Sequence, residues 1–350
     1  MTTSISTNES INRSLGWAAA GAGLFLAAST VFHELTKYRL AGKVVLVTGG
    51  SRGLGLELAR QLVAKGARVA ICSRTTSQLY SAKEELVKMG GDILALPVDV
   101  TKQEEVQILV RDVVNHFGQL DVLINNAGTI QVGPQETMDI KDYEDAMDSN
   151  FWSALYTMHA SLPHFIKQGE GRIINITSIG GKIAVPHLLP YSASKFALVG
   201  LSEGMHAELK KQNIHVTTVV PNLMRTGSPG NATIKGDHEA EYAWFKFSDS
   251  LPLTSQAVEH AAYRVVKALE YGESEAVLTI TAKMATMLKG FAPTWINALL
   301  SFTNRFLPEN IPGGFYPRKG YEVESEKSRG KIPAYTDRAA IRNNETVSFK

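Results

Sequence analysis

Tyr191 and Lys195 stand four residues apart at the head of a segment with helical spacing, so both side chains project from one face. An ammonium beside a phenol favours phenolate and draws its pKa down from about 10 toward the range where it can give and take a proton. Each unit of that shift corresponds to about 1.4 kcal/mol. In isolation such a pair is usually a pair of ordinary surface neighbours. Ser178 follows an apolar run and could hold an oxygen beside the phenol by hydrogen bonding rather than by nucleophilic attack. No G-x-S-x-G elbow surrounds it, which disfavours hydrolase chemistry.

A second set of residues would bind rather than react. Val44–Thr48 runs into Gly49-Gly50-Ser51-Arg52-Gly53-Leu54-Gly55 and then into a helical pattern. Gly49 permits a tight turn, Gly53 lets backbone approach a pyrophosphate, and Gly55 lets the helix pack close to the strand. Free amides at the helix N-terminus then receive the anion. Glycine clusters are common in turns; the position between first strand and first helix gives this one its weight. The second strand ends Ile71-Cys72-Ser73-Arg74, with no carboxylate to bind an adenosine ribose. Arg74 and Arg52 could pair with a 2′-phosphate, or could be two solvated surface charges. NADP(H) is the expected cofactor.

These groups need a scaffold, and the remaining sequence supplies one. Val44–Thr48, Arg68–Ser73, Asp92–Pro97, Asp121–Asn125, Arg172–Thr177, Ile214–Val220 and Ala276–Ile280 are short, almost wholly apolar runs, as expected for strands covered on both faces. Helical patterns lie between them at Leu54–Lys65, Gln78–Met89, Lys102–Phe117, Lys141–His164, Tyr191–Lys211 and Ser255–Tyr271. This alternation predicts an α/β fold, a Rossmann-type doubly wound parallel sheet of about seven strands spanning residues 43–282.

The flanks differ in character. Residues 1–14 are polar and read as a frayed terminus. Leu15–Phe32 carries no charge and would rise about 27 Å as a helix, near the thickness of a bilayer core. Three readings fit: a membrane anchor within residues 15–35, a helix packed on the protein, or a cleaved signal peptide ending near Ala27-Ala28-Ser29. Lys37, Arg39 and Lys43 follow the stretch and only Arg13 precedes it, so an anchor would leave the catalytic domain facing the cytoplasm. Residues 283–317 hold Met284, Phe291, Trp295 and Leu299 at helical spacing broken at Pro293. They predict an amphipathic helical extension, either covering the core edge or lying in a membrane interface. Residues 318–350, charged and aperiodic, read as a mobile tail.

Composition excludes some classes. An apolar share of 44% with 20% charged residues rules out disorder across the chain. A net charge of +2 predicts no nucleic-acid surface. Cys72 is the only cysteine, so no disulfide framework exists within a chain; inside an apolar run it reads as a small buried residue. Nine histidines without H-E-x-x-H spacing predict no catalytic metal.

The ordered motifs resemble those of the short-chain dehydrogenase/reductase family. They are Thr48–Gly55, Asp99-Val100, Asn125-Asn126-Ala127-Gly128, Asn150, Ser178, Tyr191-Ser192-Ala193-Ser194-Lys195, and Pro221 with Thr226. They fall in family order over about two-thirds of the chain. The resemblance implies hydride transfer between nicotinamide and a carbonyl/alcohol pair. Tyr191 would be the acid/base, Ser178 the positioner of the substrate oxygen, and Lys195 also the partner of the nicotinamide ribose. Asn150 would hold a water linking Lys195 to solvent. Asp99 would bond the adenine amine, Asn125 would brace neighbouring strand ends, Ala127 and Gly128 would make room for the adenosine ribose, and Thr226 would bond the carboxamide. Where the family commonly has Pro-Gly after the sixth strand, this chain has Pro221-Asn222, and Asn tolerates positive φ. Dimers or tetramers are implied too, though one chain shows no interface.

The loops expected at the C-terminal strand ends, 129–136, 179–190 and 222–254, carry Val132, Val185, Leu188, Leu189, Tyr242, Trp244, Phe245 and Phe247. They suggest a pocket for a lipophilic aldehyde, ketone or alcohol, or simply residues anchoring a lid. His187 is either a substrate contact or a surface histidine. The competing function is a catalytically inactive NADPH-binding sensor or scaffold, which the Asn150, Ser178, Tyr191 and Lys195 set argues against.

Overall fold

The computed structural model describes residues 37–251 and 255–346. Leu40–Lys350 forms one compact unit. Residues 1–36, which include the expected frayed terminus and hydrophobic helix, lie outside the described residues. Among the described residues no helix is long and apolar enough to cross a membrane.

Seven strands form the main sheet: β1 (Val44–Thr48), β2 (Arg68–Ser73), β3 (Ile93–Pro97), β4 (Val122–Asn125), β5 (Gly171–Ile176), β6 (Ile214–Val220) and β7 (Glu275–Val277). Their spatial order is β3-β2-β1-β4-β5-β6-β7 and all pairs are parallel. Every residue of β1 is buried, which is what a central strand covered on both faces requires. Order reverses between β1 and β4, so a crevice opens there at the C-terminal ends of the strands. Helices follow in turn: α1 (Gly53–Ala64), α2 (Thr76–Lys88), α3 (Gln103–Phe117), α4 (Ile140–Met147), α5 (Ser153–Gln168), α6 (Leu189–Leu209), α7 (His238–Ser250), α8 (Val258–Tyr271), α9 (Ile280–Phe291), α10 (Pro293–Thr303) and α11 (Pro333–Arg342). α3, α5 and α6 bury Leu109, Val113, Met158, Phe165 and Leu198 against Leu46, Leu123 and Ile173 of the sheet. α1 packs with α8. Cys72 is fully buried in this core and burial pushes its thiol up to about 12, consistent with an inert packing residue.

Three features depart from the sequence-based expectation. The segment read as one helix, Lys141–His164, is broken by a π-helical turn at Asp148–Trp152, between α4 and α5. α7, inside the loop expected to cover the site, is a full helix. The tail expected to be mobile is built into the body through residue 346. Arg318–Lys319 pairs antiparallel with Thr233–Ile234, which itself pairs with Gln131–Val132. Lys246 of α7, 1% exposed, bridges Glu324 (2.8 Å) and Asp337 (2.6 Å), and Ser250 Oγ lies 2.6 Å from Thr336 Oγ1. The charged composition that suggested solvation is instead consumed in long-range polar pairs, which leave no apolar period to read.

Candidate active site

Ser178 caps the short 3-10 turn after β5, and its Oγ accepts the Gly180 N–H at 3.0 Å. α6 starts at Leu189 with Pro190 in its first turn, so Tyr191 and Lys195 emerge one turn apart from its beginning. Tyr191 is hydrogen-bonded to the Ser178 side chain. Lys195 is 4% exposed; its Nζ donates to the Ile176 carbonyl at 2.9 Å and lies 5.7 Å from the centre of the Tyr191 ring. Asn150 sits in the π turn, a distortion that often marks functional positions in helices. Its amide donates to Thr129 O (3.0 Å) and Ser194 Oγ (3.1 Å), and its Oδ1 accepts the Thr129 N–H (3.2 Å). A Cβ on Gly128 would collide with Asn150 Oδ1 and come 3.5 Å from Lys195 Nζ, so glycine there lets the two side chains converge.

One electrostatic expectation is overturned. The phenol of Tyr191 is held above, not below, its ordinary pKa. Burial dominates and the Ser178 hydrogen bond opposes it only in part. The ammonium that was to lower it is itself brought down to about 8 by burial, and it is spent on the Ile176 carbonyl. At neutral pH the phenol is therefore firmly protonated in this state.

The glycine turn lies at the same crevice. Thr48 Oγ1 accepts the N–H groups of Asn126 (3.0 Å) and Ala127 (3.1 Å), tying β1 to the end of β4. Ser51 Oγ donates to Ser73 Oγ at 2.9 Å. A Cβ on Gly49 would reach 3.0 Å from Ala127 Cα and one on Gly55 would collide with the Gly49 carbonyl, so both glycines are demanded by close approach. No side chain caps the N-terminus of α1; the amide of its first residue, Gly53, goes instead to the backbone of the C-terminal tail. These features fit a dinucleotide cofactor. Asn125 braces its neighbours as expected, donating to Asn175 Oδ1 (2.9 Å) and accepting from Thr157 Oγ1 (2.5 Å).

One cleft of about 530 Å³ unites the two halves. Of the residues expected to form the site, Asn150, Ser178, Tyr191, Lys195, Gly49, Arg52, Gly53, Leu54, Ser73, Arg74, Val100, Asn126, Ala127, Gly128, Pro221 and Thr226 line it. Thr48, Ser51, Gly55 and Asp99 do not. The first three shape the turn from behind, and the Asp99 carboxylate accepts the Thr101 N–H (3.1 Å) and hydroxyl (2.9 Å). Pro221-Asn222 needs no left-handed residue: the non-glycine residues with positive φ among those described are His187, Asn213 and Asn344.

His187 is neither of the two things expected. It is buried at φ 61°, with Nδ1 2.7 Å from Glu241 Oε1, while Trp244 Nε1 donates to the other Glu241 oxygen at 2.6 Å. The pair fastens α7 to the loop after β5, placing Trp244 and Phe245 on the cleft wall.

Two lining carboxyls were missed. Asp249, in α7, is buried with Oδ2 lacking a hydrogen-bond partner, and burial pushes it up to about 8. An acid two residues past the aromatic stretch of α7 was the signal available. Glu345, from the tail, lies 3.3 Å from Arg52 Nε and accepts from Asn231 Nδ2 at 2.7 Å; burial pushes it up to about 7. The Gly53 N–H donates to the Asn343 carbonyl (2.8 Å) and Asn344 Nδ2 to the Ser51 carbonyl (2.9 Å). Nothing in the sequence marks this strap. It leaves Arg74 as the arginine of the expected phosphate pair that has no carboxylate bridge to the tail.

A family model described as short chain dehydrogenase matches residues 43–235. The 11-beta-hydroxysteroid dehydrogenase 1A of Arabidopsis thaliana is 34% identical over 213 residues, 60% of this chain and 59% of that protein, so the match spans under two-thirds of the relative's length. A short chain dehydrogenase/reductase from Burkholderia phymatum, solved with NAD, has a TM-score of 0.67 at 19% identity and covers 74% of this chain and 96% of its own, a likeness of fold. Actinorhodin polyketide ketoreductase, solved with NADPH, has a TM-score of 0.60 at 29% identity over 67% of this chain and 95% of its own.

Proposed function

We propose that this chain, which belongs to the short-chain dehydrogenase family, is an oxidoreductase that uses NADP(H) and interconverts a lipophilic aldehyde or ketone with its alcohol. One observation carries the chemical reading: the Tyr191 hydroxyl, hydrogen-bonded to Ser178, shares a cleft with buried Lys195 and the glycine turn.

When bound, the cofactor supplies or accepts the hydride. The chain's own residues do the rest. Gly49 and Leu54 line the part of the cleft that would hold the anionic groups, and Ala127 and Gly128 would leave room for the adenosine ribose. Ser178 and Tyr191 point two hydroxyls at one substrate oxygen, which orients the carbonyl and stabilises negative charge as it grows. Tyr191 then gives its proton to that oxygen, a role suited to a phenol that burial keeps protonated. Lys195 stabilises the phenolate left behind. Trp244, Phe245, Val185 and Leu188 line the substrate end and exclude water, which supports an apolar substrate. The steroid named for the Arabidopsis relative is one molecule of that class.

Tyr191→Phe should lower kcat by roughly a hundredfold to ten-thousandfold. Tyr191→Phe should keep NADPH affinity, read by fluorescence titration. Unchanged turnover sinks the mechanism. The 2′-phosphate assignment rests on Ser73-Arg74 at the end of β2, both on the cleft wall. Arg74→Asp is expected to shift the NADPH/NADH ratio of kcat/KM toward NADH by tenfold or more, about 1.4 kcal/mol, because a carboxylate repels that phosphate. Equal preference before and after would remove Arg74 from the assignment.

A further inference from the structure

The most exposed apolar surface among the described residues lies outside the cleft. α9 buries only Ala282 and α10 buries no residue. Phe291 is 85% exposed, Trp295 79% and Phe306 74%, and Met284, Met287 and Leu299 are also exposed. Scattered exposed apolar residues are ordinary, but a continuous helical pair of them is not.

Charge identifies what this face meets. From Ala276 to Pro308 the chain carries Lys283, Lys289 and Arg305 and no carboxylate. Cations on long stems beside exposed aromatics suit an anionic lipid interface, where stems lie along acyl chains and charges reach headgroups. A second copy is disfavoured, since a two-fold contact sets the same cations against one another with no acid in the segment to offset them.

We propose that α9, α10 and the turn ending at Phe306 form an amphipathic pair that docks this protein on the surface of an anionic membrane. Position gives the docking a use, which rests on the lipophilic substrate proposed above. α9 follows β7 at the strand edge where the site lies, and Ala282 packs with Val220, Val277 and Ile179, the last a residue of the cleft wall. The buried side of the first turn of α9 thus meets the cleft wall, and docking of the pair would bring the cleft toward the bilayer that supplies an apolar substrate.

The full chain is mixed with phosphatidylcholine vesicles, with or without roughly a third phosphatidylserine, whose acyl chains are brominated to quench tryptophan. The chain has four tryptophans, so the Trp295 signal is read as the difference from Trp295→Phe. The expected result is quenching of that component in anionic vesicles. Lys283→Gln, Lys289→Gln and Arg305→Gln should each lower partitioning about fivefold, equivalent to about 1 kcal/mol per cation. NADPH binding checks that each variant is folded and does not depend on the lipid result, so failure here is separable from failure of the enzymatic reading. Co-flotation without Trp295 quenching assigns membrane binding to another segment and overturns the proposal. So does self-association that Phe291→Ser abolishes and vesicles do not compete with, or an absence of both lipid binding and self-association.

Discussion

Two buried carboxyls set the pH behaviour of the folded chain. Asp249 is raised from 3.8 to about 8 and Glu345 from 4.5 to about 7, burial being the largest cause in both. The folded state thus keeps protons that the unfolded state releases, a contribution that falls as pH rises from about 4 to about 8, while His215, held down to about 4 by burial and by Arg172 and Lys210, opposes it below about 6.5. Lys195, lowered to about 8, acts in the opposite sense only above that window. Thermal unfolding between pH 6.5 and 8, above the range of His215, should therefore show Tm declining with pH, and Asp249→Asn with Glu345→Gln should flatten the slope. A rising Tm over that range contradicts the burial argument. Glycine at 128 is a second residue-scale demand. Gly128→Ala pushes on Asn150 Oδ1 and crowds Lys195, so kcat should drop at least tenfold with the fold intact by circular dichroism, because the contact lies within the site rather than the core.

At the scale of elements, the π turn and the C-terminal extension do most of the positioning. The π turn inserts its extra residue where Asn150 must face Thr129 and Ser194, so a helix read as continuous from its apolar period is bent at the site. α7 is held from two sides, by His187 with Glu241 and by Lys246 with Glu324 and Asp337. Lys246→Ala strands two carboxylates around a buried position. Both are partly exposed, so the loss should be roughly 2 kcal/mol rather than the larger cost of a fully buried pair. Urea denaturation measures it. A change near zero would mean that the extension merely rests on α7. Because Trp244 and Phe245 ride on this helix, the same variant should raise KM for apolar substrates more than it lowers kcat.

For the whole molecule, the sheet reverses its order between β1 and β4, and everything chemical gathers at that crevice. The amino-acid sequence by itself determined this frame. Central strands such as Val44–Thr48 are apolar throughout, the glycine turn sits between strand and helix, and Tyr191 and Lys195 are tied by helical spacing; each signal is local and periodic, so it survives without coordinates. The tertiary structure alone decided the rest. Burial raised the Tyr191 phenol against the expected pull of Lys195, because desolvation depends on what packs around a group and not on its neighbours in the chain. Asn343, Asn344 and Glu345 came to lie on the Ser51–Gly53 turn from nearly three hundred residues away, and His187 found Glu241, through single polar contacts. Hydrogen bonds and ion pairs between distant residues impose no periodicity on the sequence, and so a tail that looks solvated can close over a binding turn.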